Sequence, residues 1–240
     1  MIFGAILAGG IGSRMNITDM PKQFLNLGDK PIIIHTLQKM LLCKEFNYVY
    51  IGVHEDWILY TEDLIKKYIL SEENKRRIVV VSGGKDRNET IMNIIQGIEN
   101  KFGENNENII VTHDAVRPFL TSRIIEDNIK YAIEYGACDT VISAIDTIVI
   151  SENGKIIKNI PDRKQMYQGQ TPQSFKISLL KKLYNKLSEE EKNILTDACK
   201  IFIVKNQPVY LVEGEISNLK ITTPSDYKIA QAMIGGINID

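Results

Sequence analysis

Cysteine is the residue whose scarcity says most about this chain. Only three cysteines occur in 240 residues, Cys43, Cys138 and Cys199, and they lie far apart. No pair has the spacing of a zinc ligand set, and three isolated cysteines do not form a disulfide framework. We therefore expect each of them to be a small core residue in a protein of a reducing compartment.

Long hydrophobic runs and an excess of one charge are also missing. No run approaches the roughly 20 apolar residues of a membrane-spanning helix, and residues 1–4 lack the basic segment of a signal peptide. Lysine and arginine together number 29 against 30 aspartates and glutamates, a net charge of −1. Such a balance excludes binding to nucleic acid or acidic membranes through overall charge. We expect a cytoplasmic protein without either partner.

The sequence does contain a regular alternation of apolar runs and amphipathic segments. The apolar runs are mostly continuous, which is typical of strands covered on both faces. Their alternation with helices predicts an α/β protein with a Rossmann-like, doubly wound, mostly parallel sheet. A chain of this length fits a single domain, 1–240. The predicted strands are 2–8, 48–53, 77–81, 108–112 and 140–144, and the predicted helices between them are 32–42, 57–69, a stripe at Ile91, Ile94, Ile95 and Ile98, and 124–135.

The pattern changes near residue 146. Two short apolar segments flank Asn153-Gly154, a pair that favours a β-hairpin turn. A lone hairpin is marginal in water, so we expect a protruding arm at about 146–160 that packs on a second copy of the chain. The remaining predictions are an extended segment at 167–173, helices at 174–187, 197–202 and 224–233, and strands at 209–212 and 219–222.

The end of the first strand carries the strongest functional signal. Leu7 and Ala8 lead into Gly9-Gly10, and the cations Arg14 and Lys22 follow. Glycines let backbone N–H groups approach an anion, while arginine and lysine supply charge for phosphate oxygens. The pattern predicts a triphosphate site; the alternative is a tight turn with solvated charges.

Two well-known phosphate loops do not match this segment. No Gly-Lys-Ser/Thr run of a Walker loop is present. Gly10 and Gly12 fit the dinucleotide fingerprint, but Met15 stands where its third glycine belongs, and no acidic ribose ligand follows. An NAD(P)-dependent oxidoreductase is therefore a remote alternative.

A second cluster follows the fourth strand, on the same edge of the predicted sheet. Asp114 stands where a carboxylate can bind magnesium attached to a nucleotide; its alternative is a helix N-cap. Arg117 is predicted to meet a substrate anion or to hold the loop, or else to form a surface ion pair. His113 is more typical of a packing histidine than of a catalyst.

Two further clusters complete the candidate site. Gly84 allows close approach of the backbone after the third strand, and Asn88 and Thr90 can cap a helix or bind a base edge. Lys220 lies in an otherwise apolar segment, where a lysine must reach an anion or extend to solvent.

These motifs together resemble the cytidylyltransferase family of methylerythritol phosphate and ribitol phosphate enzymes. The resemblance runs from Phe3 to Tyr227, with every motif in order. The motifs are Leu-Ala-Gly-Gly-x-Gly-x-Arg-Met with Pro-Lys-Gln, Gly-Gly-x-x-Arg, His-Asp-x-x-Arg-Pro, Thr-Pro-Gln and Asn-x-Lys-Ile-Thr.

Several details resemble the ribitol 5-phosphate branch of that family. Methylerythritol enzymes usually carry alanine at the position of Val116, leucine at Gln170 and aspartate at Ser217. The segments that resemble the ribitol branch are Gly-Val-His-Glu-Asp-Trp, Arg-Pro-Phe, Tyr-Gln-Gly-Gln-Thr-Pro-Gln and Thr-Asp-Ala-Cys-Lys.

The resemblance implies transfer of CMP from CTP to D-ribitol 5-phosphate, with Mg²⁺ as cofactor and release of pyrophosphate. It implies a homodimer, a role in teichoic acid or capsule synthesis, and a ribulose-5-phosphate reductase as a possible partner. The alternatives are 2-C-methyl-D-erythritol 4-phosphate as acceptor and a non-enzymatic nucleotide sensor. By resemblance, Arg14, Lys22 and Lys220 are catalytic; Leu7, Ala8, Gly9, Gly10, Gly84, Asn88, Thr90 and Asp114 hold the magnesium nucleotide; and Arg117, Arg163 and Thr171 bind the acceptor, with Arg163 supplied by the partner subunit.

Overall fold

The computed structural model describes residues 1–10 and 20–235 of the chain. Gly12, Arg14 and Met15 lie outside the described residues. In chain order the strands are β1 (Ile2–Ala8), β2 (Asn26–Leu27), β3 (Lys30–Pro31), β4 (Tyr48–Val53), β5 (Ile78–Ser82), β6 (Ile109–Asp114), β7 (Ala137–Ser143), β8 (Tyr167–Lys176) and β9 (Tyr210–Glu213). The helices are α1 (Ile32–Leu42), α2 (Ile58–Tyr68), α3 (Glu72–Arg76), α4 (Arg87–Phe102), α5 (Ser122–Tyr135), α6 (Ile177–Tyr184), α7 (Glu189–Asn193), α8 (Cys199–Val204) and α9 (Pro224–Gly235).

Seven of the described strands form one mixed sheet in the order β5-β4-β1-β6-β8-β7-β9. The pairs β5-β4, β4-β1, β1-β6 and β7-β9 are parallel. Strand β8 runs antiparallel between β6 and β7, with Thr112 opposite Gln173. The predicted α/β, Rossmann-like, mostly parallel sheet is confirmed. Because β8 is antiparallel, its middle residues lie beside the carboxyl end of β6, where parallel sheets bind ligands.

The two largest apolar clusters of the core form layers, one on each face of the sheet, and a smaller third cluster includes Leu27 and Ile221. Strand β1 serves both layers, because successive side chains alternate between faces: Phe3 and Ala5 pack on one side, Ile6 and Ala8 on the other. The predicted stripe of α4 packs beneath the first side; its four members, Ile91, Ile94, Ile95 and Ile98, are buried. This packing fixes the carboxyl end of β1 relative to the start of α4.

One predicted element is wrong in extent and another does not form. The helix predicted at 174–187 begins only at Ile177, because Ser174 and Phe175 pair with both β6 and β7 and remain in β8. The strand predicted at 219–222 does not form. That segment is joined instead to the segment after β6 by the backbone bond from Ile221 N to the carbonyl oxygen of Val116 at 3.0 Å, and it is held by side chains described below.

The arm (residues 146–160) also differs from the prediction. The expected hairpin is reduced to an isolated bridge between Ile150 and Asn159. Asn153 Oδ1 accepts bonds from the N–H groups of Lys155 and Ile156, and Gly154 has a φ of +68°, so the turn itself forms. The flanking segments do not pair further, because their apolar side chains have no surface of this chain to cover.

No helix within residues 1–10 and 20–235 combines the length and apolar character needed to cross a membrane.

Candidate active site

A first cavity of about 280 Å³ lies at the carboxyl end of β1, between that strand, the start of α4 and the segment that follows β6. Arg14 lies outside the described residues, and its predicted role stays a prediction. The predicted residues that line this cavity are Leu7, Ala8, Gly9, Gly10, Lys22, Gly84, Thr90, Asp114 and Lys220.

Two glycine segments approach each other closely at this cavity. A Cβ atom at Gly9 would lie 3.0 Å from Thr90 Oγ1, and one at Gly84 only 2.4 Å from Glu89 Cγ. Thr90 Oγ1 accepts a bond from Gly84 N at 3.0 Å and donates to the carbonyl oxygen of Asp86 at 2.8 Å. Thr90 therefore shapes the cavity wall, and Asp86, not Asn88 or Thr90, caps α4 by accepting from Glu89 N.

Gln23 holds the segment that carries Lys22 against the first glycine loop. Its buried amide Nε2 donates to the carbonyl oxygens of Ala8 at 2.8 Å and Gly10 at 3.1 Å. The next residue, Phe24, stacks on Trp57 with ring centroids 5.1 Å apart. Sequence reasoning did not assign Gln23 a role; its place directly after Lys22 in the Pro-Lys-Gln motif was the available signal.

Asp114 lies at the end of β6 among three cations. Its Oδ2 is 2.7 Å from Lys220 Nζ and 3.9 Å from Arg117 Nε, and its Oδ1 is 3.5 Å from Arg87 Nε. Burial alone would raise the pKa of this carboxyl, but the cations outweigh burial and hold the pKa well below its usual range. The carboxylate is therefore ionised at neutral pH.

The predicted metal ligand can be tested against this geometry. No group of three or more histidine, cysteine, aspartate or glutamate side chains forms a metal site in the described part of the chain. Magnesium bound to a nucleotide needs only one or two carboxylates, because phosphate oxygens and waters supply the other ligands. The ionised Asp114 can serve as the carboxylate ligand of a nucleotide-bound magnesium ion. This one carboxylate does not suffice for a metal ion held by protein ligands alone.

Side-chain bonds hold the segment that carries Lys220. Arg117 Nη1 donates to the carbonyl oxygen of Asn218 at 2.7 Å. The fully buried Asn218 donates from Nδ2 to the carbonyl oxygen of Thr171 at 2.8 Å and to Gln170 Oε1 at 3.1 Å. Lys220 thus reaches an anion, the Asp114 carboxylate. This was expected of a lysine among apolar neighbours, although Lys220 lies in a loop and not in the predicted strand. Arg117 holds this loop; direct contact with a substrate anion stays a prediction.

His113 is part of the packing beneath Asp114. Its Nε2 lies 3.0 Å from the carbonyl oxygen of Arg117, and its Nδ1 lies 2.9 Å from Thr171 Oγ1. Burial lowers the pKa of His113 to about 4, so the ring is neutral. Thr171 Oγ1 also accepts from Asp114 N at 3.2 Å. Because the Thr171 hydroxyl is bonded within the protein, its predicted contact with the acceptor phosphate stays a prediction.

A second cavity of about 200 Å³ adjoins the first. Arg87, Asp114 and Lys220 line both cavities and form the wall between them. Sequence reasoning gave Arg87 no role, although its Gly-Gly-x-x-Arg spacing after β5 was the signal. The other residues that line the second cavity are Arg117, Gly169, Gln170, Thr171, Gln173, Thr196 and Asp197.

Two predicted residues line neither of these cavities. Asn88 is buried in the first turn of α4. Arg163 is exposed beside the arm, where its Nη1 donates to the carbonyl oxygen of Ile145 at 2.8 Å. Within one subunit, Arg163 is therefore held by the segment between β7 and the arm, away from both cavities.

Comparison with known proteins gives a consistent result. The family model of IspD, 2-C-methyl-D-erythritol 4-phosphate cytidylyltransferase, matches residues 2–236. A solved 4-diphosphocytidyl-2C-methyl-D-erythritol synthase from Anaerococcus prevotii is 25% identical with a TM-score of 0.80, and 98% of each chain is covered.

Two solved structures of lower identity support the fold alone. The 2-C-methyl-D-erythritol 4-phosphate cytidylyltransferase of Francisella tularensis is 24% identical with a TM-score of 0.74, covering 95% of this chain and 97% of that one. The bifunctional IspDF of Campylobacter jejuni is 21% identical with a TM-score of 0.73; the match covers 95% of this chain and 53% of that longer one.

Proposed function

Because the chain belongs to the IspD family of 2-C-methyl-D-erythritol 4-phosphate cytidylyltransferases, we propose that it transfers CMP from CTP to D-ribitol 5-phosphate. The products are CDP-ribitol and pyrophosphate. Membership in the family makes the chain a CTP-dependent nucleotidyltransferase; the identity of the acceptor is the proposal. The observation that supports it best is the pair of adjoining cavities with a shared wall of Arg87, Asp114 and Lys220.

The first cavity suits the nucleotide. Gly9, Gly10 and Lys22 line this cavity at the carboxyl end of β1, and backbone amides with an ammonium group suit an anion. Arg14, by the order of the motif, adds its guanidinium to the triphosphate. Gly84 and Thr90 line the same cavity, and we expect the cytidine to lie beside them.

The chemistry requires two anions to meet. A phosphate oxygen of the acceptor attacks the α-phosphorus of CTP, and the bond to the β-phosphate oxygen breaks as pyrophosphate leaves. The acceptor phosphate is already ionised near neutral pH, so no side chain has to remove a proton. Positioning and neutralisation of charge dominate such a reaction, and Lys220 at the shared wall lies where the two substrates meet.

Magnesium fits this arrangement through Asp114 and the phosphate oxygens of the nucleotide. When bound, it supplies positive charge to the triphosphate. Lys220 and Arg87 keep Asp114 ionised and fix its orientation.

The choice of ribitol 5-phosphate rests on residues beside the second cavity. Gln170 replaces the leucine usual in methylerythritol enzymes; it lines that cavity and donates from Nε2 to the carbonyl oxygen of Glu215 at 2.8 Å. Ser217 replaces an aspartate and donates to Glu215 Oε2 at 3.2 Å. The family and the Anaerococcus prevotii structure favour the second candidate, 2-C-methyl-D-erythritol 4-phosphate, because both are named for methylerythritol enzymes.

A homodimer completes the proposal. The arm exposes Ile156 and Ile157, 69% and 56% accessible, and a second copy of this chain would cover them. That docking would carry Arg163 toward the partner's acceptor site. The product would serve teichoic acid or capsule synthesis, with a ribulose-5-phosphate reductase supplying the acceptor.

Pyrophosphate release tests the acceptor. The purified protein with CTP and Mg²⁺ is given either D-ribitol 5-phosphate or 2-C-methyl-D-erythritol 4-phosphate. We expect kcat/KM for the ribitol compound to be at least about tenfold higher than for the methylerythritol compound, because one hydrogen bond discriminates between ligands by about this factor. Turnover with the branched compound alone would overturn the acceptor. CTP binding without pyrophosphate release from any polyol phosphate would instead indicate a nucleotide sensor.

A further inference from the structure

The loop that carries Lys220 is anchored near its start by the side chain of Glu215. We call residues 214–220 the lysine loop. Glu215 Oε1 accepts a hydrogen bond from Thr121 Oγ1 at 3.0 Å and another from Arg123 Nη2 at 3.0 Å. Thr121 is the N-cap of α5 and Arg123 lies in its first turn. The carboxylate therefore joins the lysine loop to the start of that helix.

The lysine loop leaves the sheet in close contact with it. Gly214 N donates to the carbonyl oxygen of Val141 at 2.8 Å. A Cβ at Gly214 would lie 2.6 Å from Gln170 Oε1 and 3.0 Å from Thr140 Cγ2, so glycine permits this approach. The first residue of the loop is thus held against β7 and β8, and Glu215 is the next residue along the chain.

Glu215 also orders the residues that follow it. Its Oε2 accepts from Ser217 Oγ at 3.2 Å. Its carbonyl oxygen accepts from Gln170 Nε2 at 2.8 Å and from Asn218 N at 3.0 Å. The same residue therefore connects α5 and β8 to the part of the loop that leads to Lys220.

The bonds at the Glu215 carboxylate are charge-assisted. Burial raises the pKa of Glu215, but hydrogen bonds from Thr121, Arg123 and Ser217 outweigh burial and lower the pKa. The carboxylate is ionised at neutral pH, and ionised acceptors form the stronger hydrogen bonds. Arg123 is itself held by Asp127 Oδ2, 3.1 Å from its Nη1, so the guanidinium is a fixed partner.

Lys220 depends on such an anchor because packing does not hold its side chain. That side chain is 43% exposed, so the position of the ammonium group follows the position of the loop backbone. A cation that neutralises developing charge must be held close to it, and a small displacement lowers the rate strongly. A carboxylate that fixes the loop can therefore control the rate without contacting a substrate.

We propose that Glu215 is a positioning residue for the transfer of CMP: held by Thr121 and Arg123, it fixes the lysine loop so that Lys220 meets the substrate phosphates. Glu215 is not among the residues that line either cavity, and it acts through Lys220. The inference rests on the proposed function because it takes Lys220 as a catalytic residue. It does not depend on which acceptor the enzyme uses.

The test measures pyrophosphate release with CTP, Mg²⁺ and the acceptor that the wild type turns over. Glu215→Ala removes the hydrogen bonds of the carboxylate, and we expect kcat to fall about tenfold. The melting temperature should change little, because the Glu215 side chain is partly exposed. In a Lys220→Ala background, Glu215→Ala should lower kcat no further, because two residues that act through one group are not additive.

Two further variants separate positioning from other effects. Glu215→Gln keeps an acceptor oxygen for Thr121 and Arg123, so it should recover most of the kcat that Glu215→Ala loses. Glu126→Ala is the matched control, because Glu126 is exposed on α5 and its carboxylate forms no hydrogen bond or ion pair within residues 1–10 and 20–235. It should keep the wild-type kcat.

The outcomes distinguish the inference from the proposed function. A wild-type kcat in Glu215→Ala, an equal loss in Glu215→Gln, or the same fold loss in the Lys220→Ala background would overturn the role of Glu215 and leave the proposed function standing. A wild-type kcat in Lys220→Ala alone would overturn the catalytic role of Lys220, and the inference with it.

Discussion

Two regions of this chain differ in what fixes their structure: the arm, and the wall that separates the two cavities. At and beneath the wall, Asp114, Thr171 and Asn218 are all buried, and hydrogen bonds through Thr171 join the segments that carry them. In the arm, one bridge joins Ile150 and Asn159, and the apolar side chains around it face solvent. The wall is determined by contacts within one subunit, whereas the arm needs a second surface to acquire a fixed structure.

Removing a charge at the first cavity should produce the largest effect. Lys22→Ala takes away a cation beside the glycine loop, and we expect kcat to fall by about 10²–10³ with little change in melting temperature. Lys155→Ala in the arm, an exposed lysine, is the matched control and should keep wild-type kcat. Steady-state pyrophosphate release measures both, and an unchanged kcat in Lys22→Ala would remove Lys22 from the mechanism.

Asn218→Ala should show how strongly the wall depends on its buried bonds. The change leaves the carbonyl oxygen of Thr171 and Gln170 Oε1 without their donor, which costs about 1–3 kcal/mol of unfolding free energy. Because the same segment carries Lys220, kcat should fall as well. Asn153→Ala in the arm is the comparison and should lie within about 0.5 kcal/mol of the wild type. Urea unfolding, followed by circular dichroism, measures the stability of both variants. Equal stability of the two variants would contradict this account.

Asp139 should make stability depend on pH. Burial, aided by Asp197, raises its pKa from 3.8 to about 6. Between these values the folded state keeps a proton that the unfolded state has lost, so stability falls as pH rises through this window. Asp139→Asn removes that loss. We expect its melting temperature to match the wild type near pH 4 and to exceed it above pH 6; a constant difference across this range would refute the assignment.

The arm should have the smallest effect on the stability of a single subunit. Ile157→Asp changes a side chain that is already exposed, so the unfolding free energy of the monomer should stay within about 0.5 kcal/mol. If a second copy covers the arm, sedimentation should show the variant dissociating at concentrations where the wild type stays dimeric. Identical sedimentation of the two proteins would exclude the arm from the dimer.

The same contrast explains what the sequence could predict. Continuous apolar runs and the isoleucine stripe of α4 identify elements that pack on both faces of a sheet, and these predictions agree with the structure. Residues 174–176 were predicted as helix because local pattern does not reveal that they pair with β6 and β7. The predicted hairpin forms only one bridge, because its apolar side chains have no surface of the same subunit to pack against.

The candidate site was predictable where a motif marks a strand end. Lys22 and Asp114 follow two predicted strands, whereas Lys220 was placed inside a predicted strand that does not form; all three line one cavity. Gln23, Arg87 and Glu215 were not assigned roles, because their importance comes from bonds between segments far apart in sequence.

The central claim is that the two substrates meet across the wall that contains Lys220. Calorimetric titration of Lys220→Ala with CTP and, separately, with D-ribitol 5-phosphate tests it most directly, with Lys22→Ala as the comparison. We predict that Lys220→Ala weakens both ligands by about tenfold or more, the loss of a charge-assisted bond in each cavity, whereas Lys22→Ala weakens CTP alone. Weakening of only one ligand in Lys220→Ala would contradict the shared wall.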